Sequence, residues 1–404
     1  MSRERDDRKR EAEIRSILNA AATRRQFMNH SALVAGGLAF GGSFLAGCGK
    51  EPGSAAPAGA PAAAAATKAA APQGPLRISN WPLYIDEKTV PDFQAATGIQ
   101  VNYSEDINDN NEFFAKIDEP LKRGQSIDRD IIILTDWMAG RLIELGYCAP
   151  FDETLFPNRA NLVASLRDVS FDPGRKFSVP WVSGMSGIAY NPKKTGRELD
   201  SVEDLFDPKF KGQVTMLTEM RDTLGLLLLG MGKDPAAVTL DDAKAAVARI
   251  KKAREAGQIR AFTGNEYAAD LAAGNIAVAI AWSGDIQGLA ADNPDLRWIA
   301  PKEGAMLYSD NMMIPKTSDR IAAAHAWLNW CYDPKHSAQI IAGAPYISAV
   351  EGTGAELAKI APALASSPLV NPPDDLRARL HVFRGLSAAE DQEFNRAFQD
   401  AIGA

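Results

Sequence analysis

Histidine and cysteine are nearly absent from this 404-residue chain, and their scarcity narrows the chemistry open to it. The four histidines stand at 30, 325, 336 and 381, with no HExxH or comparable metal-ligand spacing among them. There is no phosphate-binding loop and no G-x-S-x-G elbow; Gly184-Met185-Ser186-Gly187 has the wrong spacing for the latter. These residues point away from an enzyme, and neither a metal nor a cofactor is expected. Cysteine occurs at 48, 148 and 331, and spacing alone leaves open whether the last two pair. Internal repeats are lacking, as is any long apolar run beyond residue 50.

An uncharged apolar run lies near the start. Residues 1–22 are polar and charged, and Thr23-Arg24-Arg25-Gln26-Phe27-Met28 resembles the twin-arginine export signal. Ser31 to Gly47 then forms an apolar stretch of seventeen residues, five of them glycine, short and weakly apolar for a membrane span. It ends in Leu45-Ala46-Gly47-Cys48, which resembles the lipobox of bacterial lipoproteins, whose cysteine receives a diacylglycerol after cleavage just before it. Residues 1–47 are therefore expected to be a signal peptide and Cys48 the lipid attachment point. A lipobox serves both twin-arginine and general export, so the route stays open. Residues 48–75, almost wholly Ala, Pro and Gly, have no large side chains to bury and read as a tether. The expected location is the periplasmic face of a bacterial membrane, reached through the lipid alone.

The first 47 residues carry eight Lys/Arg against five Asp/Glu, so removing them takes the formal charge from −7 to −10. A body this acidic argues against a nucleic-acid partner and suits a cationic ligand. Its roughly 357 residues suffice for two lobes with sizeable cores.

Along the body, Leu76-Arg77-Ile78-Ser79-Asn80-Trp81 alternates like a strand, a helical stretch runs to a C-capping Gly98, and Ile99 to Tyr103 reads as the next strand. Phe113, Phe114, Ile117 and Leu121 share one face of a helix over 111–122. Asp130 to Leu134 is a short β-branched run of the kind found in buried parallel strands, and a helix through Met138, Leu142 and Leu145 follows. Gln213 to Leu217 and Asn275 to Trp282 read as further strands, and Thr239 with Asp242 opens an amphipathic helix. Such alternation predicts an open α/β sheet. In such sheets ligands bind where strands end. Trp81, Thr135, Trp137, Glu219, Trp282 and Asp285 all fall at or just beyond predicted strand ends.

Beyond these patterns, the body resembles the periplasmic spermidine/putrescine-binding proteins of ABC transporters over residues 76–404. The resemblance rests on Asn80-Trp81-Pro82-Leu83-Tyr84, Asp130 to Trp137, Ser178-Val179-Pro180-Trp181, Trp282-Ser283-Gly284-Asp285, Pro301-Lys302-Glu303-Gly304 and Tyr308-Ser309-Asp310. It implies an α/β, two-lobed, type II periplasmic-binding-protein clamp with open mixed sheets and a hinge-linked cleft. One lobe would comprise 76–184 and 310–354, the other 185–309 and 355–404. It further implies a monomer that passes a polyamine to a membrane permease. The implied ligand-binding residues are Trp81, Tyr84, Thr135, Trp137, Glu219, Asp222, Trp282, Asp285, Tyr308, Asp310 and Tyr346. Arg384 falls where the spermidine-type protein has a polar Gln; a cation there would repel an amine, pair with a site acid, or mark a ligand carrying negative charge.

The chemistry of these residue types fits a polyamine. Each ammonium needs carboxylates or other acceptors once desolvated. The methylenes need apolar walls, and aromatic faces add about 0.5–2 kcal/mol of cation attraction each. Taken singly, the residues have plainer readings: Trp81 and Trp137 as core, Asp285 as a helix N-cap, Glu219 and Asp222 as first-turn acids, Asp310 as a turn acid. Ferric-ion binders of this broad fold use neighbouring tyrosines, absent here, whereas an amino acid or other zwitterion would use an Arg such as Arg384 or Arg221. A scaffolding lipoprotein that has lost its ligand fits the intact set of acids and aromatics less well.

Overall fold

The computed structural model describes residues 75–403 apart from 291; the expected export signal, Cys48 and the tether up to residue 74 lie outside the described residues. Among the described residues, strands and helices alternate from the start. β1 (Leu76–Asn80), β2 (Val101–Glu105) and β3 (Ile131–Thr135) are separated by helices Thr89–Thr97 and Asn110–Lys122. The thirteen-residue β4 (Ser178–Tyr190) follows, then β5 (Val214–Leu217), β6 (Ile259–Thr263), β7 (Val278–Trp282), β8 (Arg297–Ile299) and β9 (Ala305–Met313). Two-residue strands β10 (Ile347–Ser348) and β11 (Leu380–His381) complete the set, and helix Ala388–Ile402 closes the chain.

Local chemistry places most of these boundaries. Gly98 at φ 72° caps the first helix, since only glycine takes that conformation without cost. Asp109 opens helix Asn110–Lys122 by accepting from Asn111 N at 2.8 Å and Glu112 N at 3.0 Å, a cap that contributes about 1 kcal/mol. Thr239 and Asp242 form the reciprocal capping box read from their spacing. β3 buries Ile131 to Leu134 in succession because β1 and β9 flank it on both edges. The strand expected from Asn275 begins instead at Val278, the preceding residues serving as its approach.

Eleven strands among the described residues form one mixed sheet: eight run in the order β2-β1-β3-β9-β4-β7-β5-β6, while β8 and β10 pair with β4 and β11 with β9. β1 runs parallel to β2 and β3, and β5 runs parallel to β6 and β7. Between these groups stand β4 and β9, antiparallel to each other and to their outer neighbours. Every residue of β4 is buried, since β7, β8, β9 and β10 all pair with it. Pro180 sits where the β4–β9 register shifts, a break that tolerates its missing donor.

Cys148 and Cys331 do not pair; both thiols are free and buried, and burial pushes that of Cys148 up to about 12. Among the described residues, no helix is long and apolar enough to cross a membrane.

Candidate functional site

Register across the central strands gathers the site. Thr135, the last residue of β3, stands opposite Asp310 on β9. On the other side of β9, Asp310 pairs with Val182 and Tyr308 with Gly184, while Ser186 of β4 pairs with Trp282, the last residue of β7. Gly184 is required here: a Cβ on it would lie 2.3 Å from the Tyr308 hydroxyl. Gly284 does the same for Tyr346, whose ring would sit 2.3 Å from an added Cβ. Two small residues thus let two tyrosines approach the backbone.

Beside these strand ends lies a cavity of about 740 Å³, within the usual range for small-molecule sites. Trp81, Tyr84, Thr135, Trp137, Glu219 and Asp222 line it, as do Trp282, Tyr308, Asp310, Tyr346 and Arg384. Ten of the eleven ligand-binding positions implied by the family resemblance therefore border one space.

On its wall Asp310 is buried, with both oxygens directed by hydroxyl donors. Tyr84 Oη donates to Oδ2 at 2.6 Å and Thr135 Oγ1 to Oδ1 at 2.8 Å. Trp81 and Trp282 meet edge to face at 6.1 Å, the former anchored by its indole N–H on Ile133 O at 3.1 Å. Trp282 donates its own indole N–H to Asp222 at 2.9 Å. Tyr84 and Tyr346 form a second edge-to-face pair at 4.7 Å. Each side chain is thus held in place by a partner from a different segment.

Removal from water dominates the electrostatics. Burial pushes the Asp310 carboxyl up to about 7, against the pull of the Tyr84 and Thr135 hydrogen bonds. It pushes Asp222 up to about 6, against the Trp282 indole. Glu219 is raised well above the carboxylate range by burial and then by the charge of Asp109. A cation entering here would reverse these penalties, because it favours the ionised carboxylates.

Three of the expected residues are engaged by partners within the protein. Asp285 is not on the cavity wall; it lies inside helix Ser283–Leu289, so it is not the helix cap either. Its carboxylate accepts from Tyr346 Oη at 2.6 Å, Tyr267 Oη at 2.7 Å and Asn265 Nδ2 at 3.0 Å, one layer behind the wall. Glu219 borders the cavity, yet its Oε1 is taken by the Asn110 backbone and side-chain N–H groups, both at 2.9 Å. Arg384 is not an unpaired cation: Glu390 takes one nitrogen at 2.7 Å, and Val238 O and Gly385 O accept from the others.

Asn110, Asn265 and Tyr267, none of them singled out in the sequence, orient the carboxylates. Arg141, Phe383 and Asp391 also border the cavity. Single polar residues outside any motif carry no local signal of such roles, which become visible only once strands and helices are assembled.

Against known proteins, residues 88–365 match the family model described as bacterial extracellular solute-binding protein. The putrescine-binding periplasmic protein PotF of Escherichia coli is 30% identical over 349 residues, covering 81% of this chain and 91% of the relative. The putrescine-binding periplasmic protein SpuD of Pseudomonas aeruginosa is 29% identical over 343 residues, covering 80% and 90%. Among solved structures, a Listeria monocytogenes protein assigned to spermidine/putrescine ABC transport superposes with a TM-score of 0.73 at 28% identity, covering 81% of this chain and 98% of that one. The chain belongs to the bacterial extracellular solute-binding protein family and has the type II periplasmic-binding-protein fold.

Proposed function

We propose that this protein captures a polyamine of the putrescine or spermidine type and hands it to the membrane permease of an ABC transporter, without catalysing a reaction. The observation that carries this reading is Asp310: a buried carboxylate with both oxygens oriented, beside Asp222 and walled by Trp81, Tyr84, Trp282 and Tyr308. A site that keeps a carboxylate out of water stabilises the arriving cation more than an exposed acid would. The putrescine-binding relatives support the same class. In this reading residues 76–184 with 310–354 form one lobe and 185–309 with 355–404 the other. Closure of the lobes excludes water from the amine. Cys48, lipidated after export, keeps a monomeric body at the periplasmic face beside its permease.

Calorimetry and thermal shift on the purified protein with putrescine, spermidine, cadaverine and agmatine test the proposal. A true ligand at a hundred times its Kd stabilises the fold by about 2.7 kcal/mol and raises the melting temperature. If all four amines give neither heat nor shift, the polyamine reading is wrong.

A further inference from the structure

Asn110 is fully buried at the start of helix Asn110–Lys122, and its hydrogen bonds allow its side chain one orientation. The Thr135 backbone N–H meets it at 3.1 Å. A main-chain N–H can only donate, so the amide oxygen is the atom that receives it. The amide nitrogen is thereby directed to Thr135 Oγ1 and to Glu219 Oε1, both at 2.9 Å. Reversing the amide would set its nitrogen against the Thr135 N–H and its oxygen against the Glu219 carboxyl. The Asn110 backbone N–H holds the same Glu219 oxygen, also at 2.9 Å.

The consequence reaches one hydrogen bond further. A threonine hydroxyl has a single proton. Because Oγ1 accepts from Asn110, that proton goes to Asp310 Oδ1, 2.8 Å away. With Tyr84 Oη donating to the other oxygen at 2.6 Å, Asp310 receives a donor on each side. Its remaining lone pairs can then accept from a ligand N–H but have nothing to give a ligand carbonyl or ether oxygen. Like charge on Asp136 and Asp222 bears on Asp310, and the Tyr308 hydroxyl lies close to it, so the donors from Tyr84 and Thr135 are what favour its ionised form. We infer that Asn110, which does not border the cavity, is the positioning residue that fixes Asp310 as an acceptor and so makes the cavity selective for ammonium groups. Glu219 then serves to anchor this relay rather than to meet the ligand. The inference rests on the amine reading of the cavity and adds what directs its carboxylate.

Calorimetry with putrescine and spermidine at pH 6 to pH 8, on the wild-type protein, Asn110→Ala, Thr135→Val and the double variant, tests the relay. Asn110→Ala frees the Thr135 hydroxyl to turn and should weaken binding about fivefold to tenfold at pH 8. Its affinity should also begin to fall at a pH higher by about half a unit, since a carboxylate that loses a donor ionises less readily. A merely loosened structure would lose the same factor at every pH. The two losses should not multiply: the double variant should bind within about twofold of Thr135→Val. Multiplying losses, or an unmoved pH profile, overturns the inference. Should Asn110→Ala fail to fold, or should no amine bind and the amine reading fall, neutron diffraction from deuterium-exchanged crystals of the wild-type protein decides the relay on its own. A deuteron on Thr135 Oγ1 aligned with Asp310 Oδ1 is expected. One turned elsewhere, or an Asn110 amide with its oxygen at Oγ1, overturns it.

Discussion

Replacing Asp310 by asparagine should stabilise the ligand-free protein at alkaline pH relative to wild type, and much less so under acid conditions. The carboxyl is nearly inaccessible, and burial moves it from an ordinary 3.8 to about 7. Between those values the folded state retains a proton that the unfolded state has released. Stability therefore falls as pH rises through roughly 4 to 7 and levels off above that window. At about 1.4 kcal/mol per unit, the full shift corresponds to about 4 kcal/mol, of which about 3 kcal/mol falls between pH 5 and pH 8. Asparagine occupies similar space and does not titrate. Any constant cost of placing its amide against the Tyr84 and Thr135 hydroxyls cancels when the two pH values are compared. Urea unfolding of both proteins, followed by tryptophan fluorescence at pH 5 and pH 8, measures that difference of differences. A value below about 1 kcal/mol would refute the claim that burial holds this carboxyl in an unfavourable state that a ligand cation relieves.

The same protonation should appear in binding: amine affinity should drop about tenfold from pH 8 to pH 6 in calorimetry, because a protonated acid must first release its proton, and in Asp310→Asn the drop should shrink to about twofold, where Asp222 alone still titrates at about 6. Gly184→Ala forces a Cβ to within 2.3 Å of the Tyr308 hydroxyl and should cost about 1–3 kcal/mol in urea unfolding; an unchanged midpoint would show that the ring moves away freely. Asp285→Asn should weaken amine binding by roughly tenfold through loss of the anchor for Tyr346 and Tyr267, with no direct contact removed. Unchanged affinity in that variant would mean that the two rings hold their places without it.

Much of the α/β alternation is legible because local signals agree: Gly98 as a C-cap, the Thr239–Asp242 box, and the apolar run of β3. The long central strands are not. β4 reads Ser178-Val179-Pro180-Trp181-Val182-Ser183-Gly184-Met185-Ser186-Gly187-Ile188-Ala189-Tyr190, with no period of two and with residues that weaken strands elsewhere. Its partners on β9 lie over a hundred residues away, so no local pattern records the pairing. The aromatics and acids of the cavity wall follow from strand ends and from family resemblance. Which acids face the cavity does not, as Asp285 shows: its position in the sequence matches a ligand contact, yet three donors that converge only in the folded chain enclose its carboxylate.

The depth of the site in the sheet explains how its cost is carried. Asp310 lies on a strand paired along both edges, and its hydroxyl donors come from β3 and from the segment after β1. A surface loop offering the same carboxylate would relax and readmit water, and the acid would return to its ordinary range. A strand locked between β3 and β4 has no such escape, so the unfavourable burial persists until a cation arrives.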